Sequence, residues 1–144
     1  MKKTKKIKKA IKPKRRIKKM NITQNTLTVN GLEYVLKSSV NENSKAESKD
    51  GLEYKIIRGD RSGVFAGYLK SLNGKEAIVL DCRRIWYWTG AASISQLAID
   101  GTNNPANCKF PEAVSKMQIT DVIEVLDVTA KAKASLDSVK IWKA

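Results

Sequence analysis

Apolar and polar positions alternate weakly over residues 20–30, a stretch rich in Thr and Asn that predicts an exposed or edge strand. The tetrapeptide Gly-Leu-Glu-Tyr then occurs twice, at Gly31–Tyr34 and Gly51–Tyr54, each time after Asn or Asp. Asn-Gly and Asp-Gly are type I′ turn dipeptides, so the echo predicts two similar strand starts. Between them, Ser38–Asp50 is polar and lacks aromatics, the pattern of a linker or long loop.

The pattern sharpens from Tyr54. Tyr54-Lys55-Ile56-Ile57 predicts a strand ended by the Gly59–Gly63 turn, and Val64–Leu72 predicts a second, with Gly67 marking a bend or bulge in it. Asn73-Gly74 signals a hairpin, Lys75–Asp81 returns as a third strand, and Arg83–Trp88 continues it or starts anew after a kink. A helix is predicted from Thr89 or Gly90, with Ala91, Ile94, Leu97 and Ala98 on one face and Gly101 as its C-terminal cap. Thr102–Pro111 reads as a loop, Met117–Val128 as a strand pair or one bent strand, Thr129–Leu136 as a short helix or turn, and Ser138–Trp142 as a last strand. The expected fold is mainly β, a small SH3-like barrel or antiparallel roll with one or two short helices. Its domains are a basic arm (1–19), a strand-containing linker region (20–50) and a compact β-rich domain (51–144).

Charge changes this picture by its distribution. The formal net charge is +14, but residues 1–19 hold ten Lys and two Arg with no acid. The other 125 residues carry 16 basic and 14 acidic side chains, so the folded part is close to neutral. The arm residues Lys2, Lys3, Lys5, Lys6, Lys8, Lys9, Lys12, Lys14, Arg15, Arg16, Lys18 and Lys19 are therefore the candidate contacts to nucleic acid or to an acidic surface. Like-charge repulsion and Pro13 oppose a free helix there. No apolar run follows the basic start as a secretion signal requires, and none reaches the roughly 20 residues of a membrane span. The expected locations are a virion or the host cytoplasm, without secretion.

Candidate chemistry is sparse. The chain has no histidine, which removes the commonest neutral-pH base and zinc ligand. Ser93 and Ser95 lie in a Gly-Ala-Ala-Ser-Ile-Ser run that does not fit a nucleophile elbow, and they read as polar residues of an early helix turn. Asp81, Asp100, Asp121 and Asp127 show no paired spacing for acid–base work or a metal cage. No catalytic residue, cofactor or metal is expected. Cys82 and Cys108 stand apart, without a Cys-x-x-Cys partner, and read as buried free thiols.

The densest cluster is Arg83, Arg84, Trp86, Tyr87 and Trp88, around Ile85. In an extended segment Arg84, Trp86 and Trp88 would share one face and Arg83, Ile85 and Tyr87 the other. Three readings stand: one face is core, the cluster contacts a protein, or its indoles stack on single-stranded bases.

Val64–Ile85 resembles the first motif of Sm-like proteins, with its bent glycine strand, turn and Asp-Cys ending; this implies fold alone. More broadly, RRIWYW, GAAS and SQLA, followed by NPANCKF and AKASLDSVKIWK, resemble a family of small proteins of unknown function encoded mainly by tailed bacteriophages and prophages. The resemblance spans about Tyr54–Ala144 and supplies no catalytic residues. It implies a phage context without a mechanism. Together with the near-neutral domain and its basic tail, the expectation is a non-enzymatic phage accessory protein, virion-associated as an auxiliary head or internal protein, whose domain docks on a phage structural protein while the arm engages nucleic acid or an acidic surface. The alternative is a free nucleic-acid-binding or host-directed regulatory protein. A homo-oligomer is compatible with either.

Overall fold

The computed structural model describes residues 44–144 and, in the preceding part, the strands at 26–29 and 32–35. The arm residues 1–19 and their candidate contacts lie outside the described residues. The chain divides into two units, Met1–Val40 and Asn41–Ala144. In the first, β1 (Thr26–Val29) pairs antiparallel with β2 (Leu32–Val35), so the first Gly-Leu-Glu-Tyr copy enters a hairpin with the Thr-rich strand before it.

The second unit begins before residue 51. Ala46 is buried and its N–H donates to Val128 O at 2.8 Å, while Ala130 N donates to Ser44 O at 2.8 Å. Residues 44–50, expected as the end of a linker, are thus joined to the domain. Lys49 and Leu52 exchange backbone hydrogen bonds of 3.1 and 2.9 Å around Asp50 (φ 53°) and Gly51 (φ 76°). Two successive positive φ values make this the type I′ turn the dipeptide predicts.

Five strands follow: β3 (Tyr54–Gly59), β4 (Gly63–Asn73), β5 (Glu76–Ile85), β6 (Val114–Ile119) and β7 (Val122–Asp127). The β4–β5 loop is Gly74-Lys75, one residue beyond the Asn-Gly signal, and only Gly74 has positive φ (59°). That is the type II′ pattern, which places glycine at the first central position.

All pairings are antiparallel, in the order β6-β5-β4-β3-β7. β6 and β7 are consecutive in the chain yet occupy opposite edges, with only Thr120 and Asp121 between them. Such a link spans roughly 11 Å at most, so the sheet must curl until its edges approach. The result is a small barrel of SH3-like strand order. Asp121 holds the corner: its carboxylate accepts from Arg61 N (2.8 Å) and Ser62 N (2.9 Å), and its carbonyl from Asp60 N (2.8 Å).

Two cores result, one on each face of the sheet. Ile57, Phe65, Ala77, Val79, Cys82, Ile119 and Val122 fill the inner face. Tyr54, Ile56, Ala66 and Ile85 belong to the outer core, covered by two helices. These are α1 (Ile94–Asp100), which contributes Leu97 and Ala98, and α2 (Ala130–Ser138), which contributes Ala132 and Leu136. Complete burial of Phe65 contributes roughly 1.5–3 kcal/mol.

α1 starts later than the expected Thr89 or Gly90. Ser93 is its N-cap, accepting from Gln96 N at 3.2 Å, while the Gln96 carboxamide accepts from Ala92 N at 2.8 Å. These reciprocal bonds fix the start, and Gly101 ends the helix as expected. The expected last strand is shorter. α2 runs to Ser138, and only a bridge from Ile141 to Phe110 remains.

Candidate docking site

A bulge decides where the Arg-Arg pair points. Ala66 faces Arg83 and Tyr68 faces Leu80, so Gly67 opposes two β5 residues, Asp81 and Cys82. Asp81 takes the extra place with φ 47° and accepts from Lys49 Nζ at 2.7 Å. A Cβ on Gly67 would come within 2.7 Å of Val79 Cγ1 and 2.8 Å of Leu80 O, so only glycine fits opposite the bulge. The extra residue shifts the strand's parity. Ala77 and Val79 face inward, and after Asp81 it is Cys82 that does so.

Arg83 consequently lies on the outer face and Arg84 on the inner. The Arg83 guanidinium stands 5.3 Å from the Phe110 ring centroid and donates to the carbonyls of Pro111 (2.9 Å), Phe110 (3.1 Å), Val139 (2.8 Å), Lys140 (3.1 Å) and Leu136 (3.4 Å). Arg84 stacks on Phe65 at 4.4 Å and donates to Ser62 O. Both guanidinia are therefore used within the fold. Burial lowers the Arg83 pKa, but its ordinary value lies so high that the group stays charged.

β5 ends at Ile85, and the aromatics that follow differ from one another. Trp88 packs on the outer core, whereas Trp86 is 64% exposed and Tyr87 51%. Tyr87 pairs with Lys109, Tyr87 N donating to Lys109 O (3.2 Å) and Lys109 N to Tyr87 O (2.8 Å). The next residue, Phe110, is buried and bridges in parallel to Ile141, and Trp142 N donates to Phe110 O at 2.9 Å. The C-terminal residues Ile141 (52% exposed) and Trp142 (38%) thereby join the same surface. Sequence reading missed Lys109, Ile141 and Trp142. The available signal was the Lys-Ile-Trp-Lys run, whose exposed placement depends on a parallel bridge that no local pattern announces.

Residues 52–136 match a family described as a domain of unknown function, DUF6948. The chain belongs to that family. The DUF6948 segment contains the bulge, both arginines, Trp86–Trp88 and Lys109, and stops before Ile141 and Trp142. No curated protein and no solved structure matches the chain.

Several of the remaining candidates have structural partners. Ser93 caps α1, and Asp81, Asp100 and Asp127 accept from Lys49, Lys131 and Lys55. Cys82 and Cys108 are buried and free, as expected. Burial pushes the Cys82 thiol up to about 11, which keeps it protonated and unreactive at neutral pH. No helix among the described residues is long and apolar enough to cross a membrane.

Proposed function

We propose that this DUF6948 protein is a non-enzymatic accessory protein of a tailed phage, carried in the virion as an auxiliary head or internal protein. Its β-rich domain docks on a phage structural protein through the aromatic corner at Trp86, and its Lys-rich arm contacts nucleic acid or an acidic surface. The observation that carries the reading is Trp86, with 64% of its surface in solvent beside two arginines already satisfied inside the fold. An exposed indole on a rigid, internally braced segment is the side chain most enriched at binding hot spots. The phage setting rests on the sequence resemblance and on the pairing of a near-neutral domain with a +12 arm, which suits a protein held at one place while its tail reaches another.

Mass spectrometry of purified virions tests it. The protein should appear at a fixed copy number, and Trp86→Ala should lower that number while the purified variant keeps its thermal transition. Absence from the particles would leave the reading as a free regulatory protein ahead.

A further inference from the structure

We propose that the exposed row Tyr87–Lys109–Trp142 is a stacking platform for single-stranded nucleic acid. The row is set by backbone geometry. Tyr87 and Lys109 form a doubly hydrogen-bonded antiparallel pair, with bonds of 3.2 and 2.8 Å, which puts their side chains on the same side. Lys109 Nζ stands 5.5 Å from the Trp142 ring centroid, so the residue paired through its backbone with Tyr87 sets its cation against the Trp142 ring. Phe110 is buried on the core side beneath the row, and the Arg83 guanidinium ties the surrounding carbonyls. The platform is therefore held from below.

Charge selects the ligand. Lys45, Lys49, Lys55, Lys131 and Lys133 each contact a carboxylate. Among the described residues, Lys109, Lys140 and Lys143, like Lys70, Lys75 and Lys116 elsewhere in the domain, have none within salt-bridge distance. Arg83 adds a fourth positive charge here, since its five acceptors are all carbonyls. The two segments that carry Lys109 and Trp142 thus hold Lys109, Lys140 and Lys143 without a carboxylate partner among the described residues. Rings for stacking and cations for phosphates are what a single strand requires, whereas an acidic peptide uses the charge and leaves the rings idle. A duplex hides its base faces and gains nothing from them.

All three tryptophans lie in the domain and none in the arm, and Trp88 packs on the core, so in a Trp86→Phe background quenching reports Trp142 of this row even when the arm also holds the nucleic acid. The test is a titration of the full-length protein in that background with dT15, with the matching duplex and with poly-glutamate, at low salt and at about 0.5 M NaCl, where arm contacts are released. dT15 should quench the emission at both salts, and the duplex and poly-glutamate should not. Tyr87→Leu and Lys109→Gln should each weaken the high-salt binding about tenfold while retaining the wild-type circular dichroism. Binding of dT15 without quenching, or with no loss in Tyr87→Leu, overturns the proposal. Equal quenching by poly-glutamate overturns it in favour of an acidic protein surface. Neither outcome bears on docking at Trp86, which the virion measurement reads separately.

Discussion

Arg83 and Arg84 are neighbours in sequence with different tasks: alternation sets them on opposite faces, and the one-residue bulge at Asp81 decides which face each takes. Arg83 gathers five carbonyls from the segment after Lys109 and from the end of α2, so it ties together backbone that lies largely outside the strands and helices. Hydrogen bonds from a charged donor contribute about 1.5–3 kcal/mol each when isolated, and less when several share one group. Arg83→Ala should therefore cost at least ~2 kcal/mol in urea unfolding. Arg83→Lys should recover less than half, because an ammonium cannot reproduce the planar fork. Arg84→Ala, which loses one carbonyl and a ring contact, should cost less. If Arg83→Ala unfolds at the same urea concentration as the exposed-site variant Arg58→Ala, the assignment is wrong. At this scale the sequence showed which residues cluster. It could not show that two of them are consumed internally, because alternation cannot be counted through an unseen bulge. Of the readings left open for the cluster, the core one applies to Trp88, which packs on the core, while Trp86 and Tyr87 stand in solvent.

Secondary elements were legible where local chemistry decides them and less so where distant partners do. The Asp50-Gly51 turn, the bend at Gly67 and the Gly101 cap follow from backbone preferences written in one or two residues. The separation of β6 from β7 does not: two short strands with two residues between them would ordinarily form a hairpin. Here Asp121 binds the β3–β4 turn instead and sends the chain across to the other edge. The tether of residues 44–53 was likewise hidden, because a polar segment reads as a loop until its ionic partners are known. Lys55 contacts Glu53 (2.6 Å) and Asp127, and Lys45 contacts the same two carboxylates at 3.2 and 3.4 Å. Burial alone would lower the Lys55 pKa, but its bonds to Asp127 and Glu53 outweigh that and raise it. Hydrogen bonds from Lys55 first, then Lys45, hold Glu53 below its ordinary range, and Lys55 does the same for Asp127. A carboxylate with a depressed folded pKa contributes stability above its unfolded value, about 4, and that stability is lost as pH falls through the folded value. The melting temperature should accordingly hold from pH 8 to 5 as far as these groups are concerned and fall below about pH 4. Glu53→Gln with Asp127→Asn should flatten part of that fall. Asp121, lowered by its bonds to Ser62 and Arg61 N, accounts for a remainder. An acid limb as steep in the double variant as in the wild type would remove the network from the explanation.

Across the whole molecule, the dominant physical fact is the division of charge, with +12 in residues 1–19 and +2 in the other 125. That division is legible from sequence because it needs no folding to compute, and under the proposed reading it gives the arm a steep response to salt and the domain a shallow one. Contacts of the arm with duplex DNA work by counterion release, so log K should fall linearly with log salt, by about 0.9 per phosphate neutralised. Engagement of six to ten phosphates would lower affinity about 10³–10⁵-fold between 50 and 200 mM salt. Replacing Lys2, Lys5, Lys8, Lys12, Lys14 and Lys18 by Gln removes half of the arm's twelve cations and should roughly halve the slope. The domain keeps its own charge in that variant, so any binding through exposed rings survives with a shallow salt dependence. A duplex-binding slope unchanged by the six substitutions would mean that the arm neutralises no phosphates. The cations around Lys109, Lys140 and Lys143 would then be the ones to remove next.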